Sequence, residues 1–321
     1  MDSAQKNCAL IHPTQFVSLR LWLNICDIFM YEIKDIPKIP SRKPDTHKGD
    51  YGRVFVLAGS SGMTGAACMC GNAALRAGAG IVTLGIPESL HGIVASKLTC
   101  VMTHPLPETH VKTLSELGRQ DILDFSQRFD VVAIGPGLSQ YLETKRLILW
   151  LLQSLDCPIV LDADGINALA DNPKILDQIK KQIVLTPHPG EMAHLLGIST
   201  QEVQSKRREI SRMFVKGRKN VTLVLKGHKT IVMNEEKFYI NETGNPGMAT
   251  AGAGDVLTGM IAAFLGQQYT PFDAAQLGAY LHGLAGDIAA QEKGEISMIA
   301  TDILDNLPKA FLAYKENNIF R

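Results

Sequence analysis

Val54-Phe55-Val56-Leu57-Ala58-Gly59-Ser60-Ser61-Gly62-Met63-Thr64-Gly65-Ala66 is the stretch that decides the fold class. Its first five residues form a continuous apolar run, of the length and Val content that suit a strand buried on both faces of a parallel sheet. A Gly-rich turn follows, and a helical pattern runs from Ala66 to Arg76. The same unit recurs along the chain. Ile81–Gly85, Val131–Ile134, Ile159–Asp162, Ile183–Leu185 and Val221–Leu225 read as strands, and Thr109–Phe125, Leu142–Ser154 and Gln201–Lys216 as helices between them. Strand, helix, strand, helix predicts a doubly wound α/β layer structure. Thr230–Met233 and Lys237–Ile240 read as a hairpin, followed by helices over Ala253–Phe264, Pro271–Gln291 and Thr301–Tyr314. Residues 46–321 are expected to be one domain, preceded by an extension and linker over residues 1–45. Lys34–Pro44, rich in Pro and Lys, reads as the extended linker.

Bulk composition narrows the function class. The chain has 321 residues, 45% hydrophobic and 20% charged, with 32 Lys plus Arg against 32 Asp plus Glu. That balance points to a small-molecule partner and away from nucleic acid, whose binders carry a basic excess. The one dense cationic run, Lys206-Arg207-Arg208, reads as a solvated helix face. The six cysteines include no C-x-x-C pair and no zinc spacing, which suits free thiols in a reducing compartment. Phe16–Tyr31 is interrupted by Arg20, Asn24 and Asp27 and falls short of the ~20 apolar residues a membrane span needs. It reads as an amphipathic helix or as sequence upstream of a start at Met30, with the first 29 residues dispensable; the expected location is cytoplasmic.

In open α/β sheets, ligands bind outside the carboxyl ends of the strands. After the first strand, Gly59–Gly65 is neither a P-loop nor a dinucleotide fingerprint; it is a tight connection or a close approach of backbone to ligand. Gly135-Pro136-Gly137-Leu138 is a rigid turn without side-chain obstruction. Asp162-Ala163-Asp164-Gly165 places two carboxylates at i and i+2, on one side of an extended segment, to hold Mg²⁺ through water or to cap the next helix. In Thr186-Pro187-His188-Pro189-Gly190-Glu191 two prolines fix the direction of His188, a candidate ligand contact, and Glu191 is a candidate Mg²⁺ or first-turn carboxylate. Lys226-Gly227-His228-Lys229-Thr230 could clasp a phosphate or be a basic turn.

The strongest local signal is Gly244–Gly259, a Gly- and Ala-rich loop running into an apolar helix. Gly252, Ala253 and Gly254 leave backbone amides unobstructed at a helix N-terminus, an anion hole reinforced by the helix dipole. Asp255 stands at that junction, where a carboxylate can accept a hydroxyl proton while the amides stabilise a transferring phosphoryl group; as a plain helix cap it would do neither.

The Gly252-Ala253-Gly254-Asp255 element resembles the anion-hole and catalytic-base motif of the ribokinase-like superfamily, with its three-layer α/β/α fold and mostly parallel sheet. Together with Lys48–Arg53, Gly62–Ala66, Gly135–Leu138, Asp162–Gly165, Thr186–Glu191 and Leu225–Gly227, in that order, it is similar to the ADP-dependent NAD(P)H-hydrate dehydratases. The resemblance implies phosphorylation of the ring hydroxyl of NADHX or NADPHX from ADP, with Mg²⁺, and elimination of phosphate to give NADH or NADPH. It implies Asp255 as base, Ala66, Gly137, His188 and Asp255 at the hydrate, Lys226, Gly227, His228, Lys229, Thr230 and Gly254 at the nucleotide, and Glu191 and Asp164 near the metal. His188 matches the ADP-using branch, whose ATP-using relatives tend to carry Asn there. Ala253 stands where the family often has Ser or Thr. Members are frequently fused to an epimerase domain, for which 45 residues are too few, so a separate epimerase is expected. A homo-oligomer, by resemblance a tetramer, is expected too. An ATP-dependent kinase of a vitamin precursor or sugar is the alternative enzyme, and a nucleotide-binding protein without catalysis the third reading.

Overall fold

The computed structural model describes residues 30–319. Among the described residues ten strands form one sheet: β1 (Tyr31–Glu32), β2 (Arg53–Leu57), β3 (Ile81–Pro87), β4 (Met102–Leu106), β5 (Val131–Ile134), β6 (Ile159–Leu161), β7 (Ile183–Leu185), β8 (Val221–Leu225), β9 (Ile231–Met233) and β10 (Lys237–Ile240). Their order is β1-β10-β9-β8-β7-β6-β5-β2-β3-β4. Only β9 is antiparallel to its neighbours, β8 and β10. Every residue of β5 to β8 is buried, because helices cover both faces.

Alternation along each strand divides the core in two. Val54, Val56 and Ala58 join the helices Thr64–Arg76, Ala253–Gly266, Pro271–Lys293 and Ala300–Ile319 on one face. Phe55 and Leu57 join Arg119–Ser126, Leu142–Ser154, Asp164–Ala170, Pro189–Leu196 and Arg207–Val215 on the other. The expected three-layer α/β/α architecture is present. Two of its helices touch backbone to backbone: a Cβ on Gly259 would lie 2.1 Å from the Cys70 carbonyl oxygen, so only glycine fits there. Cys68 and Cys70 are buried, and with Cys100 and Cys157 they are free thiols; Cys8 and Cys26 lie outside the described residues.

Several expectations need correction. Thr109–Phe125 is not one helix. The Thr109, Thr113 and Thr144 hydroxyls bond one another around a tight turn, Ser115 caps a short 3-10 turn, and only Arg119–Ser126 is α-helical. Gln201–Lys216 breaks at Lys206 into Thr200–Ser205 and Arg207–Val215. β1 and β4 were not foreseen. Segment 34–44 is extended but docked: Gln276 Nε2, Tyr269 OH and Tyr314 OH donate to the carbonyls of Asp35, Lys38 and Pro37 at 2.8, 3.2 and 2.6 Å. Ile33, Ile36 and Ile39 pack on the core beside them. The reading of Phe16–Tyr31 lies, but for its last two residues, outside the described residues. Among the described residues no helix is long and apolar enough to cross a membrane.

Candidate functional site

Strands β8, β7, β6, β5 and β2 lie side by side and parallel, so the loops at their carboxyl ends form one row. The ladder continues one or two residues past each strand and fixes the loop heads. Lys226 N donates to Pro187 O at 2.9 Å, Thr186 N to Leu161 O at 3.1 Å, Asp162 N to Ile134 O at 3.0 Å, and Gly135 N to Leu57 O at 3.2 Å. The chain runs out through β3 and β4 on one side of β2 and returns through β5 on the other, which makes β2/β5 the switch point.

Asp162 is the hub of this row. It is 1% exposed; its Oδ1 accepts from Lys226 Nζ at 2.6 Å and its Oδ2 from Thr258 Oγ1 at 2.7 Å. It therefore ties the end of β6 to the end of β8 and to the helix Ala253–Gly266. Asp164 does not share its face. Ala163 has φ +47° and ψ −117°, and this turn sends Asp164 to the Ser139 amide, 2.8 Å from its Oδ2. A Cβ on Gly135 would lie 1.7 Å from the Asp162 carbonyl oxygen, which explains the bare turn there.

His188 caps the helix Pro189–Leu196. Its Nδ1 accepts from the amides of Gly190 and Glu191 at 3.0 and 3.1 Å, which leaves the proton on Nε2, 3.4 Å from Glu191 Oε1. Glu191 Oε2 accepts from the His188 amide at 2.7 Å and stands 3.8 Å from Lys226 Nζ. Burial raises the Glu191 carboxyl above its usual range, against the pull of Lys226.

At the expected anion hole, Gly252 adopts φ +95° and releases the chain into the helix Ala253–Gly266. Among the described residues nothing accepts from the amides of Gly252, Gly254 and Asp255. The Ala253 amide is turned instead to Thr250 O at 3.3 Å, so three of the four amides here are available. A Cβ on Gly254 would lie 3.2 Å from Lys226 Nζ, so the hole opens beside that cation. Burial, then the charge of Asp162, push the Asp255 carboxyl up to about 7, against the attraction of Lys226. A carboxylate poised there takes and returns a proton near neutral pH.

Gly137 and Ala66 face each other across the switch point. A Cβ on Gly137 would lie 3.0 Å from the Ala66 methyl, and Ser60 Oγ donates to Gly137 O at 2.8 Å. Beside them opens a cavity of about 390 Å³, lined by residues that include Ser60, Met63, Thr113, Ser139 and Tyr141. In the loop after β8, Gly227 has φ +130° and Lys229 φ +54°, and Thr230 Oγ1 donates to Gly227 O at 2.9 Å. Among the described residues nothing accepts from the amides of Gly227, His228, Lys229 and Thr230.

The expected site residues thus gather at the carboxyl end of the sheet. Sequence reasoning missed Asp162 as the hub, Thr258 as its partner, and Ser60 at Gly137. Spacing carries no signal for a pair 64 residues apart. A lone buried carboxylate at a central strand end, which must find a cation, was the available clue. Among the described residues no group of three His, Cys, Asp or Glu side chains could by itself hold a metal ion. Glu191 and Asp164 are each engaged by a backbone amide, which leaves lone pairs for a hydrated ion carried on phosphate oxygens.

The family model for NAD(P)H-hydrate dehydratase matches residues 54–309. The chain is 48% identical over 272 residues to the bifunctional NAD(P)H-hydrate repair enzyme of Moorella thermoacetica, covering 84% of this chain and 51% of that protein. It is 37% identical over 262 residues to the ADP-dependent (S)-NAD(P)H-hydrate dehydratase of Neisseria meningitidis, covering 79% and 82%. A crystal structure of the ADP/ATP-dependent NAD(P)H-hydrate dehydratase from Bacillus subtilis, obtained with ATP and Mg²⁺, matches with TM-score 0.73 at 30% identity, covering 86% and 94%. The chain spans about half the length of the bifunctional repair enzymes that it matches. Its fold is ribokinase-like. With four-fifths of its length inside the family's bounds and relatives this similar, the chain belongs to the NAD(P)H-hydrate dehydratase family.

Proposed function

We propose that this chain dehydrates (6S)-NADHX and NADPHX to NADH and NADPH at the expense of ADP. One observation carries the reading: Asp255, with a carboxyl pushed up to about 7, stands among three free amides at the mouth of the row of strand ends. The names of the relatives from Neisseria and Bacillus support the substrate class.

The hydrate lies against Ala66, Gly137 and His188, in and beside the cavity at the switch point. Asp255 accepts the proton of the ring hydroxyl as its oxygen attacks the β-phosphorus of ADP. The bond to the AMP oxygen breaks, and AMP leaves. The amides of Gly252, Gly254 and Asp255 meet the charge on the transferring phosphoryl oxygens, and Lys226 beside Gly254 adds a cation. The phosphate ester then eliminates: the ring C–O bond breaks, a ring proton is lost, and the reduced nicotinamide re-forms with release of phosphate. The loop Lys226–Thr230 holds the nucleotide phosphates with its free amides. Mg²⁺ would neutralise phosphate charge, and Glu191 and Asp164 are the carboxylates that would hold its waters. The setting is cytoplasmic, with a homo-oligomer as the working form and a separate epimerase supplying the reactive epimer.

Recovery of the reduced-nicotinamide absorbance from NADHX, with ADP and ATP compared, is the test. ADP is expected to give the higher kcat/KM, on the strength of His188. A preference for ATP overturns the choice of nucleotide, and a stable phosphorylated product with no reduced cofactor overturns the reaction.

A further inference from the structure

The cationic run Lys206-Arg207-Arg208 does not form a solvated face throughout. Lys206 pairs with Glu202 at 3.3 Å, and the Arg208 guanidinium lies 4.2 Å from the Phe238 ring centroid. Arg207 turns inward. Its Nη2 donates to Leu225 O at 2.8 Å, and its Nη1 to Lys226 O at 3.2 Å and to Gln204 Oε1 at 3.3 Å. No carboxylate of the described residues pairs with it. A Cβ on Gly227 would lie 2.9 Å from Nη1, so the guanidinium is pressed against the loop backbone.

We propose that Arg207 is the positioning residue of the nucleotide loop, setting Lys226–Thr230 to receive the phosphates of a nucleoside diphosphate. The inference rests on the functional reading above. Two carbonyls are held by one planar fork, a geometry that an ammonium cannot reproduce. Fixing Leu225 O and Lys226 O fixes the peptide planes leading into Gly227, whose φ of +130° starts the turn that leaves four successive amides free. The guanidinium charge, unneutralised by any acid of the described residues, adds to the field that draws phosphate to this end of β8.

Arg207→Met and Arg207→Lys test this by calorimetric titration with ADP, hydrate kinetics and melting, with the parent chain as control. The expected result is an ADP Kd about tenfold weaker in both variants, the effect of losing charge-assisted hydrogen bonds. The KM for ADP rises in parallel, while kcat at saturating ADP stays within about threefold and KM for the hydrate is unchanged. Gly227→Ala, which crowds the fork and strains a positive φ, should weaken ADP in the same way. If Arg207 only satisfies strand-end carbonyls, both variants melt earlier while their folded fraction binds ADP like the parent, and the proposal fails alone. If the parent binds no ADP, the functional reading fails and takes the role of Arg207 with it.

Discussion

Lys226 Nζ donates to Asp162 Oδ1 at 2.6 Å, joining the ends of β8 and β6 across the intervening β7. Burial disfavours the ammonium, but Asp162 and Glu191 outweigh it and hold Lys226 above the usual lysine range. The pair is the bolt through the row of loops that carries the site. Lys226→Met leaves the Asp162 carboxylate buried without a cation and should cost about 3–5 kcal/mol in urea unfolding. Adding Asp162→Asn should recover part of the loss. A single-variant loss below about 1 kcal/mol would show that Thr258 alone satisfies Asp162.

The Asp255 carboxyl at about 7 fixes two pH dependences. As a base it works deprotonated, so kcat/KM should climb about tenfold per pH unit below 7 and level above it. For stability the sign is opposite. A pKa raised by folding favours the neutral form, so its contribution is fully present below the ordinary carboxylate range and lost as pH rises through about 7. Asp255→Asn cannot ionise and should be more stable than the parent at pH 8 by about 1–3 kcal/mol, with the gap narrowing at pH 5. Equal stability at both pH values would contradict the shift.

The strands that build the site were legible because β2, β3 and β5 to β8 are short apolar runs bounded by turns. β4 was not, because Met102-Thr103-His104-Pro105-Leu106 is an edge strand with only Leu106 buried and a proline inside. β1 is a two-residue edge strand held by its pairing with β10. The helix expected over 109–125 failed because Thr and Ser hydroxyls offered the backbone a local alternative. Glycine density marked the turn into the helix Ala253–Gly266, where Gly252 needs its positive φ. It could not show that Ala253 turns its amide to Thr250, nor that Ala163 separates two carboxylates expected on one side.

Residues 30–45 carry structure. A chain starting at Thr46 loses β1, the hydrogen bonds from Tyr269, Gln276 and Tyr314, and the packing of Ile33, Ile36 and Ile39. About 3–6 kcal/mol of stability should go with it. Identical melting of chains starting at Met30 and at Thr46 would contradict that docking.

Ala163 holds φ +47° and ψ −117°, a conformation costly for a residue with a Cβ. Ala163→Gly should therefore stabilise the protein by about 0.5–2 kcal/mol in denaturant titration, the relief of strain exceeding the added freedom of the unfolded chain. A loss of stability would show that the turn is not strained.

The catalytic role of Asp255 is tested most directly by Asp255→Asn, which keeps the size and capping ability of the side chain but cannot take the ring-hydroxyl proton. ADP-dependent turnover of NADHX should fall about 10²–10⁴-fold, the usual effect of losing a general base, while the ADP Kd stays within about threefold of the parent. Turnover within about threefold of the parent, with ADP bound equally well, would contradict the account and leave Asp255 as a helix cap.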